Sequence, residues 1–116
     1  MAKLIIDDLR VLNLPGDLVY ARNVDSALEL LENTKQWDEI WMDHDLGSKT
    51  GQYEDIWPVI AYFEARNEWN PIQTGEIYII TSNPVGSQRM KIALNRLGYS
   101  VSVVDPVPFM GGVLAW

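Results

Sequence analysis

Two apolar runs in this chain stop abruptly at acidic residues. Ile40-Trp41-Met42 ends in Asp43-His44-Asp45, followed by Leu46-Gly47, and Leu4-Ile5-Ile6 ends in Asp7-Asp8. Short continuous apolar runs read as buried strands, so both acidic groups fall at strand ends. Parallel neighbours would bring them together at the carboxyl edge of one sheet, where open α/β folds seat their ligands. Carboxylates crowded there repel one another unless a cation or shared protons neutralise them. Oxygen-only donors suit Mg²⁺ (or Mn²⁺), an ion that keeps several waters and commonly meets a phosphate. Asp7, Asp8, Asp43 and Asp45 are the candidate metal ligands. One such pair would more simply solvate a sheet edge or cap a loop; two pairs on adjacent strands favour a site.

A third segment points to the same edge. Ile77–Ile80 reads as a strand, and Thr81-Ser82-Asn83-Pro84-Val85-Gly86 follows it. Asn as cap and Pro at the first helical position make a helix start, whose positive end and backbone N–H groups can seat an anion. A plain helix cap explains the same residues. Thr81, Ser82, Asn83 and Gly86, with Arg10, are the candidate ligand-binding residues. Arg22, Arg89 and Lys49 are the other cations near the edge, and each also reads as a solvated surface charge. His44 could serve as a general acid or base beside Asp43, the two forming the candidate catalytic pair. Strand alternation, however, turns its side chain away from those of Asp43 and Asp45, which suits a structural role equally. Ser48-Lys49-Thr50-Gly51-Gln52 is not a phosphate loop, because the Walker order of glycines and Lys-Ser/Thr is absent.

The elements that must position these residues follow in order. Leu18–Arg22 reads as a second strand, reached through Pro15-Gly16-Asp17 by a linker barely long enough for a parallel crossover. Asp25 can cap a helix over about Ser26–Asn33 with Ala27, Leu28 and Leu31 inward. Trp37 and Ile40–Met42 return the chain to the sheet. Ile56, Val59, Ile60 and Phe63 space a helix over Asp55–Asn67, with Trp41 and Trp57 as core. Asn70-Pro71 to Gly75 reads as a loop. Met90, Ala93, Leu94 and Leu97 mark the helix after Asn83, which Gly98 ends, and Ser100–Val104 is the last strand. Alternating strands and helices predict a three-layer, flavodoxin-like α/β fold: a parallel five-stranded sheet of order 2-1-3-4-5, its first and last helices reduced or missing.

Composition bounds the rest. The 116 residues are 47% hydrophobic and 22% charged, enough for one domain over 1–116 with its own core. A net charge of −7 excludes a broad nucleic-acid surface, and no apolar run approaches membrane-spanning length. With no cysteine and only Leu4-Ile5-Ile6 ahead of the first acids, a reducing, cytoplasmic setting is the expectation. The apolar tail 109–116, with Phe109, Met110, Leu114 and Trp116, offers no convincing last helix. Apolar surface near Ile92, Leu94 or Val103 is then expected to be covered by that tail or by a second copy in a homodimer.

These motifs resemble a family. Asp7-Asp8, Asp43 and Thr81 at successive strand ends are similar to the acidic pair, phosphoacceptor and hydroxyl residue of response-regulator receiver domains. More specifically, Ile6-Asp7-Asp8-Leu9-Arg10, Met42-Asp43-His44-Asp45-Leu46-Gly47, Thr50-Gly51 and Asn83-Pro84-Val85-Gly86 with Met90 resemble the cyclic-phosphate-processing receiver-like domains of bacteria and phages. The resemblance spans about residues 3–97. It implies a stand-alone domain that binds a divalent metal and a phosphate-bearing ligand, a cyclic phosphate, cyclic nucleotide or RNA end, for sensing, sequestering or weak hydrolysis. The alternative it implies is a degenerate receiver or protein-interaction module with Asp43 as phosphoacceptor. Two positions depart from the pattern. The family's histidine before Asn83 falls on Ile80, and the receiver lysine after the last strand appears as Asp105-Pro106.

Overall fold

The structure is a computed structural model and describes residues 2–48 and 53–105. Lys49, Thr50 and Gly51, together with Pro106 and the tail 109–116, lie outside the described residues. Five strands form the main sheet: β1 (Lys3–Ile6), β2 (Leu18–Ala21), β4 (Glu39–Met42), β8 (Ile77–Ile79) and β9 (Val101–Val103). Their spatial order is β2-β1-β4-β8-β9 and every pairing is parallel. Counted within this sheet alone, that is 2-1-3-4-5. Two short ladders stand apart from it: β3 (Gln36–Trp37) pairs with β7 (Gln73–Thr74), and β5 (Asp45–Ser48) pairs antiparallel with β6 (Tyr53–Asp55). Trp37 and the segment before Gly75 therefore build a side ladder rather than main sheet and loop.

Among the described residues three helices, α1 (Val24–Asn33), α2 (Trp57–Asn67) and α3 (Pro84–Arg96), pack on one face. Their Ala27, Leu31, Val59, Ile60, Phe63, Met90 and Leu94 bury against Leu4, Ile6, Ile40, Met42, Ile77 and Ile79. Leu94, expected near uncovered surface, is fully buried; Ile92 and Val103 are the exposed neighbours. The opposite face carries Ile5, Trp41 and Ile80, and loop 7–17 lays Leu12 upon them where a first helix would stand. Strand periodicity explains this division: alternate residues of β1, β4 and β8 serve the two cores in turn. Trp41 is buried there, stacked on Tyr78 with centroids 4.3 Å apart, while Trp57 is half-buried beside the helical core.

Helix starts differ from the periodicity in detail. Asn23, not Asp25, caps α1: its backbone is extended and its Oδ1 accepts from Ser26 N at 2.9 Å. Asn and Asp cap equally well, so sequence alone could not choose; Asp25 instead sits in the first turn, where a negative charge meets the helix dipole. Asn83 caps α3 as expected, and Gly98 leaves that helix at φ +97°. Residue Ile56 precedes α2 in helical conformation, and Asp55 Oδ1 accepts from Trp57 N at 3.0 Å.

Candidate functional site

The sheet's hydrogen bonds continue one residue past its strands. Asp7 N donates to Ala21 O, Asp43 N to Ile6 O, Ile80 N to Met42 O and Val104 N to Ile79 O, at 2.9–3.1 Å. Asp7, Asp43 and Ile80 thus stand level at the carboxyl edge. Alternation places all three on the face of Ile5 and Trp41, away from the helices.

Carboxylate oxygens of Asp7, Asp8 and Asp43 converge within 4.8 Å of one another. Asp7 is the most enclosed. Its Oδ1 accepts the backbone N–H groups of Leu9 and Arg10, each at 3.0 Å, and so folds the chain back after β1. Arg10 Nη1 then donates to Asp7 Oδ2 and Asp43 Oδ2, both at 2.9 Å. Arg22 fixes the same turn from behind, with Nη1 donating to the carbonyls of Asp7 (3.2 Å) and Arg10 (2.7 Å) and its guanidinium lying over the Tyr20 ring. Tyr20 in turn accepts from Leu12 N. Arg22, expected near this edge as a cation, braces the turn together with Tyr20, a role the sequence did not show because the turn is made only when β1 and β2 pair. Arg89 is exposed.

Three carboxylates face one bridging guanidinium, and two of them, Asp43 and Asp8, have raised pKa values. Burial, then the charge of Asp7, pushes the Asp43 carboxyl above its ordinary value, against opposing pulls from Thr81, Arg10 and the His44 backbone. Burial and Asp7 push Asp8 up in the same way. Gly47 makes room for Asp8: its φ is +69°, and a Cβ there would lie 2.4 Å from Asp8 Oδ2. The donor set fits a divalent ion, since three oxygens lie close enough to share one and their charge is undercompensated.

Asp45 and His44 stand outside this trio. The Asp45 carboxylate accepts from Tyr53, across the β5–β6 ladder, and lies 2.9 Å from His44 Nδ1. These two partners hold its pKa below the usual carboxylate value, and Asp45 pushes the Tyr53 hydroxyl up to about 12. Alternation does turn His44 to the helix side, away from Asp43, but the bend after β4 brings Asp45 back to it. The imidazole packs edge-on to Trp57 and against the first turn of α3. Gly86 is there for that reason: a Cβ on it would fall 2.5 Å from His44 Cδ2.

The anion seat at α3 is narrower than the sequence suggests. Gly86 N donates to Asn83 Oδ1 and Ser87 N to Asn83 O, both at 2.9 Å, while Pro84 has no N–H. Asn83 N donates to Thr81 Oγ1 at 3.2 Å, so Thr81 is tied to the cap and also faces Asp43. Ser82 is exposed at the edge. The edge as built presents Thr81, Ser82 and the start of α3 beside the three aspartates, with Arg10 held between Asp7 and Asp43. No curated protein and no solved structure gave a significant match to the chain. The family comparison did match, over residues 2–96, a span that holds Asp7, Asp8, Arg10, Asp43 and Thr81 to Gly86: the chain belongs to the cyclic-phosphate processing receiver domain family.

Proposed function

We propose that this receiver domain binds a divalent cation through Asp7, Asp8 and Asp43 and, beside it, a phosphate-bearing ligand, a cyclic phosphate or cyclic nucleotide. The observation that carries this reading is the convergence of three carboxylates on one edge of the sheet. A bound Mg²⁺ or Mn²⁺ would supply Lewis acidity toward a phosphoryl oxygen. Arg10, Thr81, Ser82 and the start of α3 would orient the phosphate. Ile80 supports sensing or sequestration over robust turnover. It is level with Asp43 on the same face and fully buried, where the family resemblance places a histidine.

The test is thermal unfolding with and without millimolar Mg²⁺ or Mn²⁺, then with cyclic nucleotides and 2′,3′-cyclic-phosphate oligonucleotides. A ligand that binds only the folded state raises the melting temperature by mass action. The cation should stabilise the protein, Asp43→Asn should blunt that response, and ligands should be recovered intact. No cation response in either form defeats the metal reading, and rapid hydrolysis abolished by Asp43→Ala defeats sequestration.

A second reading, Asp43 as phosphoacceptor, is favoured by Thr81 standing beside it at the next strand end. Acetyl phosphate with Mg²⁺ would then add one phosphoryl group to the wild-type mass and none to Asp43→Asn.

A further inference from the structure

Of Asp7's two carboxylate oxygens, Oδ1 is committed to the N–H groups of Leu9 and Arg10. Only Oδ2 is left for an ion, and that atom already accepts from Arg10 Nη1 at 2.9 Å. The same nitrogen lies 2.9 Å from Asp43 Oδ2. One guanidinium nitrogen therefore holds the one Asp7 oxygen left for the proposed cation and one of the two carboxylate oxygens of Asp43. These groups are enclosed, with side-chain exposures of 12% for Arg10, 1% for Asp7 and 10% for Asp43, so solvent screens little of their charge. A divalent ion and a guanidinium sharing one carboxylate oxygen repel strongly in such a setting.

We propose that Arg10 is an internal counter-ion that a divalent cation must displace, and that its displacement makes the guanidinium available to the ligand's phosphate. The inference rests on the metal reading above and adds to it an order: cation first, phosphate second. The local architecture allows such a move. Arg22 holds the Asp7 and Arg10 carbonyls, so the backbone stays fixed while the Arg10 side chain changes partners. A guanidinium's planar fork matches phosphate as well as carboxylate, and the Thr81–Asn83 edge lies next to Asp43. Bridging two aspartates, Arg10 keeps the metal-free fold intact but lowers cation affinity. Facing a phosphate, it makes anion binding conditional on the metal.

The probe is Mn²⁺ alone, titrated into wild type and Arg10→Met by electron paramagnetic resonance. The variant should bind roughly tenfold tighter, because a positive charge has left the cation's ligands. Wild-type binding with equal or weaker binding by the variant overturns the counter-ion role while leaving the metal site standing. Binding by neither overturns the metal reading and the inference together. A measurement on the unaltered protein guards against misfolding of the variant: the Arg10 guanidinium ¹⁵N signals. They should be exchange-protected without metal and lose that protection as the Asp7 and Asp43 carboxyl ¹³C shifts saturate with Mg²⁺. Protection that persists at saturation overturns the proposal.

Discussion

Asp43 and His44 are consecutive residues, yet they belong to two regions of opposite character. On the face of Ile5 and Trp41, Asp43 joins Asp7 and Asp8 in a cluster with more negative charge than its bridging guanidinium offsets. On the helix side, His44 completes a closed arrangement: Nδ1 to Asp45, Asp45 to Tyr53, the ring against Gly86 and Trp57. The first region carries excess negative charge, whereas in the second His44 Nδ1 and the Asp45 carboxylate have partners. Side chains with unmet demand are where a ligand gains free energy, whereas satisfied ones hold geometry. His44 accordingly packs α3 against the end of β4, while Asp43 belongs to the edge for which cation binding is proposed.

The sharpest way to break this contrast is to remove the guanidinium that bridges Asp7 and Asp43. Without added metal, Arg10→Met should lose about 3–5 kcal/mol of stability, the usual cost of stranding a buried charge partner. Urea unfolding measures it, and Mg²⁺ should recover more of the loss than it adds to wild type. A loss no larger than that of an ordinary surface substitution would show that the carboxylates are not crowded. On the satisfied side, Gly86→Ala drives a Cβ into His44 and should cost about 1–3 kcal/mol, as overpacking does. Adding His44→Ala to it should recover most of that loss; strictly additive losses would separate the two residues.

Smaller effects sharpen the comparison further. Asp43 titrates above its ordinary 3.8. Its charge therefore opposes folding above the raised pKa, and the opposition fades as pH falls through that value toward 3.8. Asp43→Asn should raise the metal-free urea midpoint at neutral pH and flatten the stability profile across that window. A lower midpoint with an unchanged profile contradicts the account. Asp45 behaves oppositely. Its lowered pKa contributes stability that is present above 3.8 and lost as pH falls through the folded value. Tyr53→Phe removes one of its two partners, so NMR titration should show the Asp45 carboxyl moving up. The stability change should stay within about 0.5 kcal/mol, because the pair is exposed.

The sequence by itself determined the parallel sheet, its strand order and the edge where Asp7, Asp8 and Asp43 meet. Those features follow from apolar runs, caps and alternation, which act over a few residues and so leave local marks. It also placed Asn83 and Pro84 at the start of α3. Tertiary structure alone decided which acids converge: Asp45 bends away to Tyr53, a residue its own ladder brings near, while Arg10, already on Asp7, reaches Asp43 33 positions along the chain. The same holds for Arg22 behind the turn, and for Gly47 and Gly86, whose missing side chains admit Asp8 and His44. Each of these contacts joins residues from different elements. Their partners are set by the register and packing of those elements, which no single stretch of sequence contains.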